Sequence, residues 1–193
     1  MASMIFPDDS RTYDLARIQD TLRGIGVTLR DWSVPERPNI MALLDNAALD
    51  EAEQQAVLDA IAHRLEELRQ AHGYRTCDMV VMHEDTPGLA DMLAKFEKIH
   101  YHTDDEVRYI LSGRGYFGFV GADGAQFLLE VTAGDYINVP AETEHWFTLA
   151  DSPRIKAVRY FTDKSGWTPV YTDTPCAFSG GRPGGERLQG SAA

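Results

Sequence analysis

The sequence predicts a mainly β fold, an antiparallel sandwich or barrel with helices packed on its outside. Short strand-like segments separated by turn residues fill the C-terminal half of the chain, and this density is typical of antiparallel sheets. The helical patterns all come early, so the helices are expected to pack outside the barrel. With 193 residues the chain is long enough for one domain with a full core and short for two.

One domain is expected over residues 1–178, and the segment that follows it differs sharply in composition. Residues 179–193 (SGGRPGGERLQGSAA) are Gly-rich and polar, with little to bury. Such a composition predicts a disordered tail.

The N-terminal region predicts a helix followed by a strand. Leu15, Ile18 and Leu22 are spaced on one helical face, and Gly24 closes that helix. The Pro-rich segment after the strand cannot continue either element. In order, we expect a short lead over residues 1–9, a helix over about 9–23, a strand over 25–32 and a Pro-rich link over 34–39.

The strongest helical pattern covers about residues 50–72. Asp50 is a good N-cap, Glu53 follows three positions later as in a capping box, and Gly73 ends the pattern. His63 falls beside the apolar stripe of this helix, and we interpret it as a surface residue rather than a metal ligand.

Strands dominate after this helix, interrupted by one short helix over residues 87–95. Residues 121–124 (GADG) form a hairpin turn between two of the strands. The predicted strands cover residues 74–82, 107–111, 116–120, 126–131, 135–139, 145–149 and 155–161.

Charge and cysteine content exclude several classes of function. The net charge is −12 at pH 7 and no cluster of Lys and Arg is present, which argues against nucleic-acid or anionic-membrane partners. Cys77 and Cys176 lie far apart, without a CxxC pair or a secretory apolar segment. We therefore expect a cytoplasmic protein, and no stretch approaches the roughly 20 apolar residues of a membrane span.

The stretch from His100 to Gly113 carries the residues that indicate chemistry. In an extended chain, side chains two positions apart share a face, so His100, His102 and Glu106 can point the same way. Two imidazoles and one carboxylate are the ligands of mononuclear non-haem iron, and they also suit nickel, manganese or zinc. His145 opens a later strand and supplies a fourth candidate ligand.

Each of these histidines, taken singly, would more often be a structural residue than a ligand. Jointly, the shared face, the strand that follows and the fourth ligand at a hairpin distance favour a metal site. Four protein ligands leave about two positions of an octahedron for water or substrate. That arrangement favours a catalytic site over a closed structural one.

The spacing of these ligands follows a known pair of motifs. His-x-His-x3-Glu-x6-Gly and Gly-x5-Pro-x4-His resemble the two cupin motifs, although Ala94 replaces the leading Gly of the first and Glu142 replaces a Gly of the second. The resemblance implies a cupin fold, a double-stranded β-helix or jelly-roll barrel. The turn at Glu142 is expected to be built differently.

More positions match a narrower pattern, namely Lys95-Phe96, the run from His100 to Phe117, Gly134-Asp135, Val139-Pro140, His145-x-Phe147, Ala157-Val-Arg159-Tyr-Phe161 and Trp167. With them, about residues 75–172 resemble acireductone dioxygenase of the methionine salvage pathway. One departure is Ile99, where the family carries Glu before the first ligand histidine. The four ligands themselves are intact.

This resemblance implies a dioxygenase that uses O2 to oxidise 1,2-dihydroxy-5-(methylthio)pent-1-en-3-one. One Fe2+ or Ni2+ ion per chain is expected, bound by His100, His102, Glu106 and His145. With iron the products are 4-methylthio-2-oxobutanoate and formate; with nickel they are 3-(methylthio)propanoate, formate and carbon monoxide. We expect a monomer whose partners are this small molecule and O2.

Further side chains are candidates for substrate binding. Arg108 shares the face of the ligands and is expected to hold an anionic enediol oxygen, although an ion pair with a neighbouring carboxylate is the alternative. Arg159 is a weaker candidate for a second cation. Four aromatic residues could line a slot for a methylthio tail, or could simply be core: Phe96, Phe147, Phe161 and Trp167.

Two other functions stay open at this point. One is a different cupin enzyme, such as another dioxygenase or a metal-dependent isomerase with the same ligands. The other is a non-catalytic cupin that binds a small metabolite, for example as a sensor, although the sequence shows no helix-turn-helix or other effector module.

Overall fold

The structure is a computed structural model that describes residues 2–163 and 168–184. Its helices are α1 (Leu15–Arg23), α2 (Pro38–Asp45), α3 (Glu51–Ala60), α4 (Ala62–His72) and α5 (Leu89–Phe96), with a short 3-10 helix at Ser179–Gly181. Its strands are β1 (Ser3–Ile5), β2 (Arg11–Thr12), β3 (Thr28–Asp31), β4 (Thr76–Met82), β5 (His100–Tyr101), β6 (Glu106–Val120), β7 (Gln126–Thr132), β8 (Asp135–Val139), β9 (His145–Leu149), β10 (Ile155–Phe161) and β11 (Val170–Tyr171).

Two antiparallel layers share the long strand β6. One layer runs β11-β5-β9-β6-β7-β1-β2, and the other consists of β3, β8, β6, β10 and β4. The helices lie outside these layers, so the predicted mainly β cupin-like fold is confirmed. None of the helices in the described part of the chain is long and apolar enough to cross a membrane.

Strand β6 is continuous, although the sequence predicted two strands with a break at residues 112–115. Gly113 takes a φ of 80°, and a Cβ there would lie 1.9 Å from the backbone oxygen of Arg154. The pairing with β10 shifts register two residues earlier, because Lys156 is opposite Ser112 and Ala157 is opposite Ile110. Gly113 therefore bends the strand and carries it from one layer to the other, rather than ending it.

Alternation along β6 separates the interior of the barrel from the layer under the helices. Ile110 packs in the cluster that fills the barrel. Val107, Tyr109 and Leu111 pack instead in the cluster beneath the helices, beside Trp32. Glu106 and Arg108 have the parity of Ile110, so the predicted shared face is confirmed for this strand.

The predicted start of α1 was wrong. Asp14 caps the helix by accepting hydrogen bonds from the backbone N–H groups of Ala16 and Arg17, whereas the preceding residues form β1 and β2. Strand β1 pairs with β7, so the presumed lead is part of the sheet. Leu15 is exposed, and the apolar face of α1 is reduced to Ile18 and Leu22.

Helix α2 was missed because its prolines were interpreted as a linker. Pro38 occupies the first turn, where the missing N–H costs nothing, and Ile40 and Leu44 are buried. The buried Lys156 donates to the backbone oxygen of Leu44 at 3.1 Å. This contact fixes the C-terminal end of α2 on β10.

The long predicted helix is divided in two at Ile61, whose φ of −116° and ψ of 14° interrupt the helical backbone. Both predicted ends are confirmed. Asp50 and Glu53 form the capping box, and Gly73 is left-handed with a φ of 76°. His63 is exposed, as expected for a surface residue.

Part of the predicted disordered tail packs on the barrel. Trp146 donates its indole N–H to the backbone oxygen of Gly181 at 3.1 Å, and Gly181 is buried. Gly181 is therefore an exception to the expectation that this segment buries little, whereas Gly180 and Gly184 are exposed. The remainder of the predicted tail, residues 185–193, lies outside the described residues.

Candidate metal centre

Four buried side chains meet at one end of the barrel interior. One ligand atom from each of His100, His102, Glu106 and His145 lies within 4.8 Å of the other three. His100 on β5 pairs directly with His145 on β9, while Glu106 begins β6. The predicted quartet is thus brought together.

The conformation of the chain between His102 and Glu106 differs from the prediction. After β5 the chain bends at residues 103–104 before β6 begins, so the segment is not one extended strand. His102 is held by its backbone, whose oxygen accepts from the N–H of Glu142 at 2.8 Å. A loop contact, in addition to strand parity, therefore places His102.

Backbone carbonyls orient two of the imidazoles. Nδ1 of His100 lies 2.6 Å from the oxygen of Lys98, and Nδ1 of His145 lies 2.7 Å from the oxygen of Thr143. A carbonyl can only accept, so Nδ1 carries the proton in both rings. Nε2 then has its lone pair available, as a metal ligand requires.

The carboxylate of Glu106 lies at the centre of the group. Its Oε2 is 2.9 Å from Nε2 of His102 and 3.2 Å from Nε2 of His145. Burial acts to raise the pKa of Glu106, but the Arg108 guanidinium and the two histidines outweigh it and hold that pKa well below its usual range. The carboxylate of Glu106 is therefore ionised at neutral pH and can bind a metal cation.

Burial also favours the neutral form of the His100 imidazole. It lowers the pKa of that imidazole to about 4, and the neighbouring His145 acts in the same direction. A neutral imidazole and an ionised carboxylate are the forms that bind metal. Three nitrogens and one carboxylate oxygen fit a divalent transition-metal ion and leave about two positions of an octahedron open.

A cavity of about 200 Å³ adjoins the four ligands. Two cations line it beside the ligands: Arg108 lies 2.9 Å from Glu106, and Arg159 is directly opposite Arg108 on the neighbouring strand. The rest of the lining is mainly apolar: Val80, Met82, Phe96, Ile110, Phe117, Phe147, Ile155, Ala157 and Pro169. The cavity can thus hold a small molecule with one charged end and one apolar end.

The ion pair that the sequence offered as one interpretation of Arg108 is present, and the side chain also lines the cavity. Its Nη2 lies 2.9 Å from Oε1 of Glu106, which is the ion pair with a neighbouring carboxylate. The same side chain lines the cavity. Burial lowers its pKa to about 10, so the guanidinium remains charged at neutral pH.

Arg159 also reaches the cavity, from β10. Its Nε and Nη2 each lie 2.7 Å from one carboxylate oxygen of Asp78 on β4. Asp78 had no distinguishing signal in the sequence, because β4 and β10 are far apart along the chain and only the folded sheet makes them neighbours.

The aromatic candidates divide into two groups. Phe96 and Phe147 line the cavity. Phe161 is buried at the end of β10, beside the Arg159 guanidinium at 5.4 Å, and it is not among the described residues that form the cavity wall. Trp167 lies outside the described residues.

Two features around the ligands were missed or misjudged. Asp105 is not simply a solvated turn residue: it accepts from the N–H of Ala141 at 3.1 Å and so ties the loop before His145 to the segment before β6. Glu142 has a φ of 63°, the left-handed conformation that Gly favours. The turn is therefore built as with Gly, contrary to expectation.

Ile99, the position where the sequence departs from the family it resembles, is buried beside Trp146 and Phe178. Its backbone oxygen accepts from the N–H of Thr172 at 3.1 Å. The isoleucine thus belongs to the apolar cluster under the C-terminal segment.

Comparison with known proteins gives one consistent result. Residues 33–169 match the ARD/ARD′ family. The chain is 47% identical to an acireductone dioxygenase of Leptospira biflexa, over 83% of this chain and 89% of that protein. It is 46% identical to one of Microcystis aeruginosa, over 89% and 93%. It also resembles the solved structure of acireductone dioxygenase from Bacillus anthracis with a cadmium ion in its active centre, with a TM-score of 0.81 and 32% identity, over 89% and 98%.

Proposed function

The chain belongs to the ARD/ARD′ family, and from that membership we propose how its cavity works as the active site of an acireductone dioxygenase. The substrate is 1,2-dihydroxy-5-(methylthio)pent-1-en-3-one, which is oxidised by O2. A molecule of this kind has an acidic enediol at one end and an apolar thioether at the other. The described cavity is lined both by charged groups and by apolar side chains, which supports a substrate of this kind.

His100, His102, Glu106 and His145 are the proposed ligands of one Fe2+ or Ni2+ ion per chain. The observation that carries this assignment is the convergence of their four ligand atoms within 4.8 Å. When bound, such an ion supplies a Lewis acid that favours the ionised enediol. In His100 and His145, Nδ1 donates a hydrogen bond to a backbone carbonyl. This contact fixes the orientation of each ring and leaves Nε2 free to bind the ion.

Arg108 is the proposed partner of the anionic enediol oxygen. Its side chain is only 16% exposed, and its charged guanidinium lies within 2.9 Å of the proposed ligand Glu106. A charge-assisted hydrogen bond is strong where water is excluded, and it favours the ionised substrate over the neutral one. Arg159 is proposed as a second cation at the same end of the cavity.

The apolar wall is proposed to take the methylthio tail. Phe96 and Phe147 face the cavity, and packing of the tail against them excludes water from the charged end. The active form is proposed to be a monomer.

Which products form is proposed to depend on the ion. With iron they are 4-methylthio-2-oxobutanoate and formate; with nickel they are 3-(methylthio)propanoate, formate and carbon monoxide. The same four side chains serve both ions, so the choice is made by the metal that the protein acquires.

The test is to restore iron or nickel to metal-free protein and supply the substrate under air. Loss of substrate above the uncatalysed rate, with carbon monoxide from the nickel form alone, is expected. Substrate that disappears no faster than in buffer with either metal would overturn the proposal, even if the metal binds.

A further inference from the structure

Three charged residues form a row across neighbouring strands beside the ligands. Asp78 on β4 is directly opposite Arg159 on β10, and Arg159 is directly opposite Arg108 on β6. Directly opposed residues on paired strands point to the same face of a sheet. Because strands lie about 4.8 Å apart, the row spans roughly 10 Å.

Two guanidiniums in opposed positions repel each other. In this structure each of them is paired with a carboxylate. Glu106 lies 2.9 Å from Arg108, and Asp78 lies 2.7 Å from Arg159. The two carboxylates therefore allow both cations to occupy one end of the cavity.

The pair between Asp78 and Arg159 also fixes an orientation. Two parallel contacts, from Nε and from Nη2, set the plane of the guanidinium as well as its position. The side chain of Arg159 is 32% exposed, so without this restraint it could rotate towards solvent. The restraint comes from β4, a strand that supplies none of the proposed ligands.

We propose that Asp78 is a positioning residue for substrate recognition. It holds the guanidinium of Arg159 at the cavity wall, ready to donate to the oxygen-bearing end of the substrate. This role rests on the proposed function, because it requires an anionic substrate whose charged end lies beside the ligands. Asp78 acts through Arg159 and touches neither the substrate nor the ion.

Replacing Asp78 by Asn separates positioning from simple charge, because the two roles predict opposite results. Loss of a negative charge would by itself strengthen attraction of an anionic substrate and lower KM. Loss of orientation raises KM. For the iron-loaded Asp78→Asn enzyme we expect KM to rise about tenfold, with kcat within about threefold of wild type, and with unchanged metal content.

The matched control is Glu66→Gln, which removes the carboxylate of an exposed pair with Arg69 at 2.7 Å and should leave KM unchanged.

Asp78→Glu keeps the carboxylate and should recover part of the affinity that Asp78→Asn loses. Arg159→Lys keeps the charge but cannot form two parallel contacts, so it should raise KM, and adding Asp78→Asn to it should cause no further rise.

An inactive wild-type enzyme would mean that the proposed function has failed. An active wild type with an unchanged or lower KM in Asp78→Asn, or additive effects in the double variant, would overturn the role of Asp78. If Asp78→Asn does not fold, Arg159→Lys decides the matter alone, since an unchanged KM in that variant would overturn the proposal.

Discussion

His100 and His145 lie directly opposite each other on β5 and β9, with ring centroids 4.6 Å apart. Strand β5 has two residues, and its pairing with β9 is the contact that brings these imidazoles together. The distance between the two proposed ligands is therefore set by strand register, and a slip of one residue would turn one ring away from the other.

Removal of one ligand should greatly weaken metal binding. For His145→Gln we expect metal affinity at least about a hundredfold weaker and no detectable dioxygenase activity. Elemental analysis after dialysis against a weak chelator measures this. His63→Gln, on the exposed surface of α4, is the control, and a His145→Gln protein that retains a full complement of metal would contradict the assignment.

Arg108→Lys should reduce kcat/KM about a hundredfold while the metal stays bound. A lysine keeps the charge but cannot reproduce the contact with Glu106 and reach an enediol oxygen with the same planar group. Steady-state kinetics and metal content are measured together. Arg69→Lys, on the surface of α4, should match wild type; parallel loss of metal and activity in Arg108→Lys would indicate a purely structural role.

The metal-free protein should become less stable as the pH falls from 7 to 5. The pKa of His100 is about 4 when folded, against an ordinary value of 6.5, so between these values the unfolded chain binds a proton that the folded chain does not. Its contribution to the free energy of unfolding therefore rises with pH across this window, by about 1–2 kcal/mol from pH 5 to 7.

Urea unfolding of chelator-treated protein at both pH values tests this dependence. The contribution of His100 to the rise in stability between pH 5 and 7 should be absent in His100→Gln and should remain in His63→Gln. Glu106, whose pKa is lowered below 4.5, contributes stability that is lost only at more acidic pH. An equal pH dependence in wild type and His100→Gln would refute the assignment to His100.

A larger side chain in the apolar part of the cavity should lower activity most for a substrate that carries the methylthio tail. Ala157 lines the cavity from β10 and is 5% exposed, so Ala157→Leu extends into the space proposed for the methylthio group. We expect kcat/KM for the natural substrate to fall about tenfold or more, with a smaller fall for an enediol analogue that lacks the tail. Equal losses for both molecules would show that the tail lies elsewhere.

Gly118→Ala should destabilise the barrel by more than about 3 kcal/mol. A Cβ at this position would lie 1.9 Å from the buried ring of Trp146. Gly124→Ala is the control, because its hairpin position has no atom within 4 Å of a Cβ and its φ of 79° costs only about 1 kcal/mol. Urea midpoints measure both, and similar losses would contradict the steric argument.

Local signals predicted much of the fold. The capping box of Asp50 and Glu53, and the bounds of β8, β9 and β10, follow from residues close in sequence. The set of proposed ligands was predicted from residue type and spacing. Its assembly also depends on the loop contact between Glu142 and His102, which no local sequence pattern predicts.

Errors arose where distant contacts or ambiguous residues decide the structure. Gly113 has the signature of a strand end, yet packing against Arg154 makes it a bend within β6. Pro38 indicates either a linker or a helix start, and only the burial of Ile40 and Leu44 selects the helix. The pair of Asp78 and Arg159 joins strands some 80 positions apart, so no sequence window contains both.

Because β6 pairs with β7, β8, β9 and β10, synthesis of the chain must proceed well past His145 before the ion site can exist. A nascent polypeptide that ends before β9 holds three of the four proposed ligands but lacks the strand that opposes His100. Metal capture is then a late event in maturation, and a loaded ion favours the closed barrel over every partly folded state that cannot bind it.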